Sequence, residues 1–143
     1  MKTYLVKELD TLHLQQVDSL LHLLSPGTGQ IDAERLSKLI REEMICLFVT
    51  EDDSGRLVGM LSLCICPTLA KDKLWIEDVI VDESCRGKGI GRSLVKEAVA
   101  HAKTLAPGSR LYLTSNPTRR AARELYASEG FERYETGVFR IQL

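Results

Sequence analysis

No sign of charge dominates this chain. Its 19 Lys and Arg face 20 Asp and Glu, for a net charge of −1. That balance gives no electrostatic reason to expect nucleic acid or an anionic membrane as a partner. No apolar run reaches transmembrane length, and the opening residues MKTYLVKELD hold no long apolar core of the kind a secretory signal needs. A cytoplasmic location is therefore the expectation. Cysteine is sparse. None of Cys46, Cys64, Cys66 and Cys85 forms a C-x-x-C pair, so a zinc site is poorly supported and no metal is expected. Cys64 and Cys66 alternate within an apparent strand and read as small buried apolar residues on one face. Cys85 has no histidine near it in sequence to activate its thiol. His13, His22 and His101 are scattered over helical segments, and no His/Asp/Ser set is visible. No repeat, low-complexity tract or linker divides the chain. Its 143 residues, 44% hydrophobic and 27% charged, suit one domain over residues 1–143 with a real core.

Periodicity orders the elements. Thr3 to Glu8 alternates as a first strand. Asp10 or Thr11 can cap a helix to about Leu24, with Leu12, Val17, Leu20, Leu21 and Leu24 as its apolar stripe. Asp32 can cap a second helix to about Glu43, with Leu36, Leu39 and Ile40 as its core face. Ile45–Thr50, Leu57–Cys66 and Leu74–Val81 read as strands, the first two joined by the turn Asp52-Asp53-Ser54-Gly55. A helix follows from Gly89 to about Leu105, then a strand Arg110–Thr114 and a helix Arg119–Ser128 stopped by Gly130. Phe131–Glu135 and Gly137–Ile141 read as two last strands. Strands come first as a meander and later alternate with helices. That order predicts an α/β (α+β mixed) fold, with a central mixed, mostly antiparallel sheet of about seven strands and helices on both faces.

The most informative stretch is Val79 to Ala100, VIVDESCRGKGIGRSLVKEAVA. An apolar strand runs into Arg86-Gly87-Lys88-Gly89-Ile90-Gly91, and that loop opens an amphipathic helix. Bare N–H groups and the positive end of the helix dipole make such a place an anion site. The glycines let the backbone take positive φ and approach a ligand closely. Arg86 and Lys88 add charge. A dinucleotide fingerprint needs G-x-G-x-x-G, and the register from Gly87 to Gly91 is G-x-G-x-G. A P-loop needs Gly-Lys-Ser/Thr, and Lys88 is followed by Gly89. The loop does fit R/Q-x-x-G-x-G/A, with Arg86, Gly89 and Gly91 at the defining positions. A second segment, NPTRRAARELYASEGF from Asn116 to Phe131, contains L-Y-x-x-x-G-F at Leu125-Tyr126 and Gly130-Phe131.

In these two segments the chain resembles the GNAT N-acetyltransferase superfamily, whose fold has the same order of elements. The resemblance is motif-specific from about Leu74 to Phe131. It implies acetyl-coenzyme A as co-substrate, with its pyrophosphate on Arg86, Gly87, Lys88, Gly89, Ile90 and Gly91. It also implies a pantetheine arm lying as a pseudo-strand along the backbone of Val79, Ile80 and Val81, where that strand and its later neighbour splay apart. Tyr126 matches the tyrosine that donates a proton to the departing thiolate in many members. Its alternative role is a core tyrosine beside Leu125 and Ala122. Many relatives carry Asn seven residues before this tyrosine, where the chain has Arg119; others carry it three before, where the chain has Arg123. Asn116 is the nearby residue able to take over a polar contact, and Arg119 can meet a phosphate.

The attacking amine must be neutral, so an ammonium substrate must lose a proton. Glu77 and Asp78, inside the apolar strand Trp75-Ile76-Glu77-Asp78-Val79-Ile80-Val81, are the candidate bases. Carboxylates there are costly unless paired or functional. Strict alternation sends them to opposite faces, so only one points into a cleft unless a bulge intervenes. The resemblance favours Glu77, by its proximity to the family's usual base position; either acid could instead bind a cationic substrate or pair with a neighbouring strand. The expected reaction is acetyl transfer to a primary amine, on a small-molecule acceptor, directly within a ternary complex. A non-catalytic acyl-coenzyme A sensor and a protein acetyltransferase are the alternatives. Members of the family often dimerise, so a homodimer is left open.

Overall fold

The computed structural model describes residues 1–143. Ten elements follow in order: β1 (Lys2–Leu5), α1 (Thr11–Leu24), α2 (Ala33–Arg41), β2 (Ile45–Glu51), β3 (Leu57–Cys66), β4 (Lys73–Val81), a 3-10 turn (Glu83–Cys85), α3 (Ile90–Leu105), β5 (Leu111–Tyr112) and α4 (Arg120–Ser128). The expected caps are in place. The Asp10 carboxylate accepts from the His13 N–H at 2.7 Å, and Asp32 accepts from the Arg35 N–H at 3.0 Å. Each satisfies a donor that the first turn of its helix leaves free.

The sheet runs β1-β2-β3-β4-β5. The first four strands are antiparallel neighbours, and β5 lies parallel to β4. Helices cover both faces. On one, Phe48, Val58, Leu61, Leu63, Leu74 and Ile76 meet Leu94, Val95 and Ala98 of α3 and Tyr126 of α4. On the other, Leu47, Val49, Met60 and Ile80 meet Val17 and Leu20 of α1. No helix is long and apolar enough to cross a membrane.

Two expectations fail at the C-terminal end. The sheet has five strands, because neither Phe131–Glu135 nor Gly137–Ile141 becomes a strand. Phe131 turns back onto Tyr126, with its N–H on the Tyr126 carbonyl at 3.0 Å. Beyond it residues 132–143 are all exposed, including Val138, Phe139, Ile141 and Leu143. Alternation makes a strand only where a partner edge offers a ladder. The terminal strand β5 pairs over just Leu74–Leu111 and Trp75–Tyr112. The cysteines differ from expectation as well. Cys46 and Cys85 are buried, but Cys64 is half-buried and Cys66, at the end of β3, is exposed.

One glycine of β3 sets how closely α3 lies on the sheet. A Cβ on Gly59 would stand 2.9 Å from Ile90 Cγ2, 3.2 Å from Leu94 Cδ1 and 3.3 Å from the Ile80 carbonyl oxygen. The carbonyl belongs to a paired strand and cannot step aside. Gly59→Ala is expected to cost about 1–3 kcal/mol through overpacking, read as a lower urea midpoint with an unchanged m-value.

Candidate active site

The glycine loop follows β4 through a tightly tied turn. Asp82 accepts from the Ser84 N–H at 2.9 Å, the Ser84 hydroxyl at 2.6 Å and Arg56 Nη1 at 2.9 Å. The Ser84 hydroxyl foremost, and Arg56 further, hold the Asp82 carboxyl below its ordinary value. The chain then passes through Arg86, ion-paired to Glu83 at 3.1 Å, and reaches the start of α3. Gly87 and Gly89 take φ of +77° and +79°, with open space where a Cβ would point. Gly89 caps α3 with no side chain bonded to the first-turn N–H groups. Donors, dipole and clearance therefore coincide at one point, as a pyrophosphate requires.

Gly91 serves another purpose. Its backbone needs no positive φ; an added Cβ would lie 3.3 Å from Leu125 Cδ2 and 3.8 Å from Val81 Cγ2. The third glycine of the motif is thus a contact between α3, α4 and the end of β4. Positive φ belongs to the first two glycines alone.

The cleft opens where β5 leaves β4. After Trp75–Tyr112 the two strands are no longer paired, so the β4 edge from Ile76 to Val81 has no strand on that side. Val79 and Val81 put their side chains against the α3/α4 core while this backbone edge is left for a ligand. Tyr126 is buried near this core, its ring edge-on to Phe131 at 6.1 Å. Ser115 Oγ, just past β5, is the one buried side-chain polar atom with no partner. The Tyr126 hydroxyl bonds to no side chain yet is not sealed in. Burial pushes its phenol up, against the opposing charge of Arg119, so it stays protonated at neutral pH. Arg119 is exposed immediately before α4. Asn116 is engaged locally: its Oδ1 accepts from the Thr118 N–H and hydroxyl at 2.9 and 2.8 Å. Arg86, Lys88 and Arg123 are exposed.

A β-bulge decides where the two carboxylates point. Met60 pairs with Ile80 and Ser62 with Glu77. Between those pairs β3 contributes Leu61 alone and β4 contributes both Asp78 and Val79, with the register shifting there. Asp78 takes φ of +51°, a left-handed value uncommon outside glycine. The consequence is visible in packing. Ile76 and Ile80, which strict alternation would align, lie in opposite cores. The bulge therefore keeps Glu77, opposite Ser62, on the same face as Asp78. Asp78 accepts from the Ser62 hydroxyl at 2.8 Å, and both residues line a cavity of about 220 Å³ beneath α1 and α2. Burial first, and the Asp78 charge second, raise the Glu77 carboxyl above its ordinary value. Glu77 as a residue is exposed, but its carboxyl is partly withdrawn from water against the sheet. Cys64, on the same face, is pushed up to about 11 by burial and then by these two acids. Ser62 carried no sequence signal: it is a small polar residue inside an apolar strand, marked only by its distance to Asp78.

The model of the acetyltransferase (GNAT) family matches residues 14–131. The spermine/spermidine N(1)-acetyltransferase of Bacillus subtilis (strain 168) is 29% identical over 82 residues, 54% of this chain and 54% of that protein. The match thus spans about half the length of that curated relative. Among solved structures, a Trypanosoma brucei acetyltransferase aligns over 99% of both chains at 25% identity, with a TM-score of 0.79. An aminoglycoside acetyltransferase from an uncultured soil metagenomic sample, in complex with sisomicin, reaches a TM-score of 0.85 at 19% identity, over 99% of this chain and 95% of that one. At that identity the likeness is one of fold. With the family model covering most of its length, and with the glycine loop and the parted strands in place, the chain belongs to the GNAT acetyltransferase family.

Proposed function

We propose that this protein transfers the acetyl group of acetyl-coenzyme A to a primary amine of a small molecule, directly in a ternary complex. One observation carries the reading: the bulge puts Asp78 where the open β4 edge, which leads to the glycine loop, meets the cavity under α1 and α2. A donor along the edge and an acceptor in the cavity would meet at that residue. The loop and the uncapped α3 terminus hold the pyrophosphate, and the backbone of Val79 to Val81 aligns the arm. Asp78, fixed by Ser62, holds the ammonium. Glu77, with its raised pKa, suits the task of taking the amine's proton, directly or through water. Tyr126 protonates the departing thiolate. Two named relatives act on or hold small-molecule amines, which supports this acceptor class. Cys85, the thiol nearest the loop in sequence, is 6% exposed and lies in the core, which favours direct transfer over an acyl-enzyme.

The test is the release of free thiol from acetyl-coenzyme A across a panel of amines, with acetylated product followed by mass spectrometry. Thiol release that needs the amine, without a burst in its absence, is the expected result. Tight binding of acetyl-coenzyme A with no transfer to any amine would instead make the protein a sensor. A burst in the absence of amine would point to Cys85.

A further inference from the structure

We infer that the acceptor is an amine with a single apolar arm, of the arylalkyl or medium-chain alkyl class, and not a polyamine or an amino sugar. This rests on the reading of Asp78 as the partner of the amine.

The cavity is mostly apolar. Eight of its twelve lining residues are hydrophobic. Its walls are Val17 and Leu21 of α1, Leu36 and Leu39 of α2, and Leu47 and Met60 of the sheet. The α2 side chains matter most. Periodicity marks Leu36, Leu39 and Ile40 as the core face of that helix. Ile40 does pack against the core, whereas Leu36 and Leu39 are absent from both core clusters and face the cavity instead. No residue of α2 is fully buried. A helix so amphipathic turns two of the three residues of its apolar face to this cavity, where an apolar ligand would meet them.

The charges in the cavity fit a monocation. Only Asp32, Arg35 and Asp78 carry charge there. Asp32 caps α2 through the Arg35 N–H, and the Arg35 guanidinium at the same rim repels a second ammonium. Asp32 is exposed at the cavity's rim, whereas Asp78, half-buried and bonded to Ser62, is the carboxylate inside it. Its Ser62 bond occupies one acceptor site and leaves others for an amine. Hydroxyls of an amino sugar would find few partners there, because eight of the twelve lining residues are hydrophobic. Size agrees too. A dry cavity of about 150 Å³ accepts benzene, so one of about 220 Å³ holds a ring with a short aminoalkyl link.

The experiment compares kcat/KM for ethylamine, butylamine, hexylamine, 2-phenylethylamine, spermidine, glucosamine and sisomicin on the full chain. Among the alkylamines kcat/KM is expected to rise about fourfold per methylene, equivalent to ~0.8 kcal/mol of transfer free energy. 2-Phenylethylamine should exceed ethylamine by about 10²-fold or more, and spermidine and sisomicin should fall below hexylamine. Leu36→Asp, on a half-buried position that packs into neither core, should flatten the methylene series and leave the Kd of acetyl-coenzyme A unchanged. A flat series in the parent protein, or spermidine, glucosamine or sisomicin surpassing every apolar amine by about tenfold, overturns the apolar-arm class while leaving acetyl transfer intact. No transfer to any amine, with acetyl-coenzyme A bound, overturns the acetyltransferase reading itself.

Discussion

Asp78→Asn lowers kcat/KM for the amine by roughly 10²- to 10³-fold, the cost of removing one partner from a charge pair in a mostly apolar cavity. The dissociation constant of acetyl-coenzyme A stays unchanged, because the glycine loop and the backbone groups of the β4 edge keep their chemistry. The substitution is a fair probe of charge. Asparagine has the same shape, tolerates the left-handed φ of 51° and can still accept from Ser62. A loss of stability is therefore not expected, and thermal unfolding checks this directly. The pH profile separates Asp78 from Glu77. Burial and then the Asp78 charge raise the Glu77 carboxyl, and a base works only when deprotonated. The acid limb of kcat/KM should thus lie above the ordinary glutamate range in the parent protein. Asp78→Asn removes the second cause, so the limb moves to lower pH; Glu77→Gln removes the limb. If Asp78→Asn kept full kcat/KM, the amine would not be held at the bulge. An unchanged limb in Glu77→Gln would assign proton removal to another group.

Tyr126→Phe is expected to reduce kcat by about 10²-fold or more, the usual loss when a positioned proton donor is removed. KM for the amine should barely move, since the acceptor cavity contains no part of α4. Phenylalanine keeps the buried ring and its edge contact with Phe131. The lost hydroxyl bonds to no side chain, so the fold loses no such bond. The slowdown would then be chemical. Acetyl esters of more acidic thiols provide the control. A better leaving group needs less protonation, so the gap between the parent protein and Tyr126→Phe should narrow with it. Parent-like kcat in Tyr126→Phe would leave the tyrosine as a core residue of α4.

The helix caps, the turn at Asp52 to Gly55 and the loop from Arg86 to Gly89 were legible because each depends on local chemistry that a few adjacent residues specify; the packing role of Gly91 was not. The two acids were legible as residues but not as a pair. Their shared face depends on one extra residue in β4 relative to β3, and such a register is a property of two strands together. The last two strands misled for the converse reason. Phe139 and Ile141 sit in an alternating stretch, but no sequence pattern reports that β5 offers a ladder of only two pairs. Leu36 and Leu39 looked like core because helical periodicity gives the face and not what covers it. Ser62 and Ser115 are silent in sequence: each matters only through where its hydroxyl lies.

The contact between Gly91 and Leu125 gives the two signature segments a shared tolerance. Cβ clearance at position 91 is 3.3 Å from the Leu125 side chain, one residue before Tyr126. The approach of α4 to the start of α3 is thus gauged by a missing methyl group. Drift at either segment is answerable to the other, so the glycine at 91 and the bulk at 125 form a single heritable dimension. A survey of natural variants should find them changing as a couple, with size lost on one side whenever it is gained on the other.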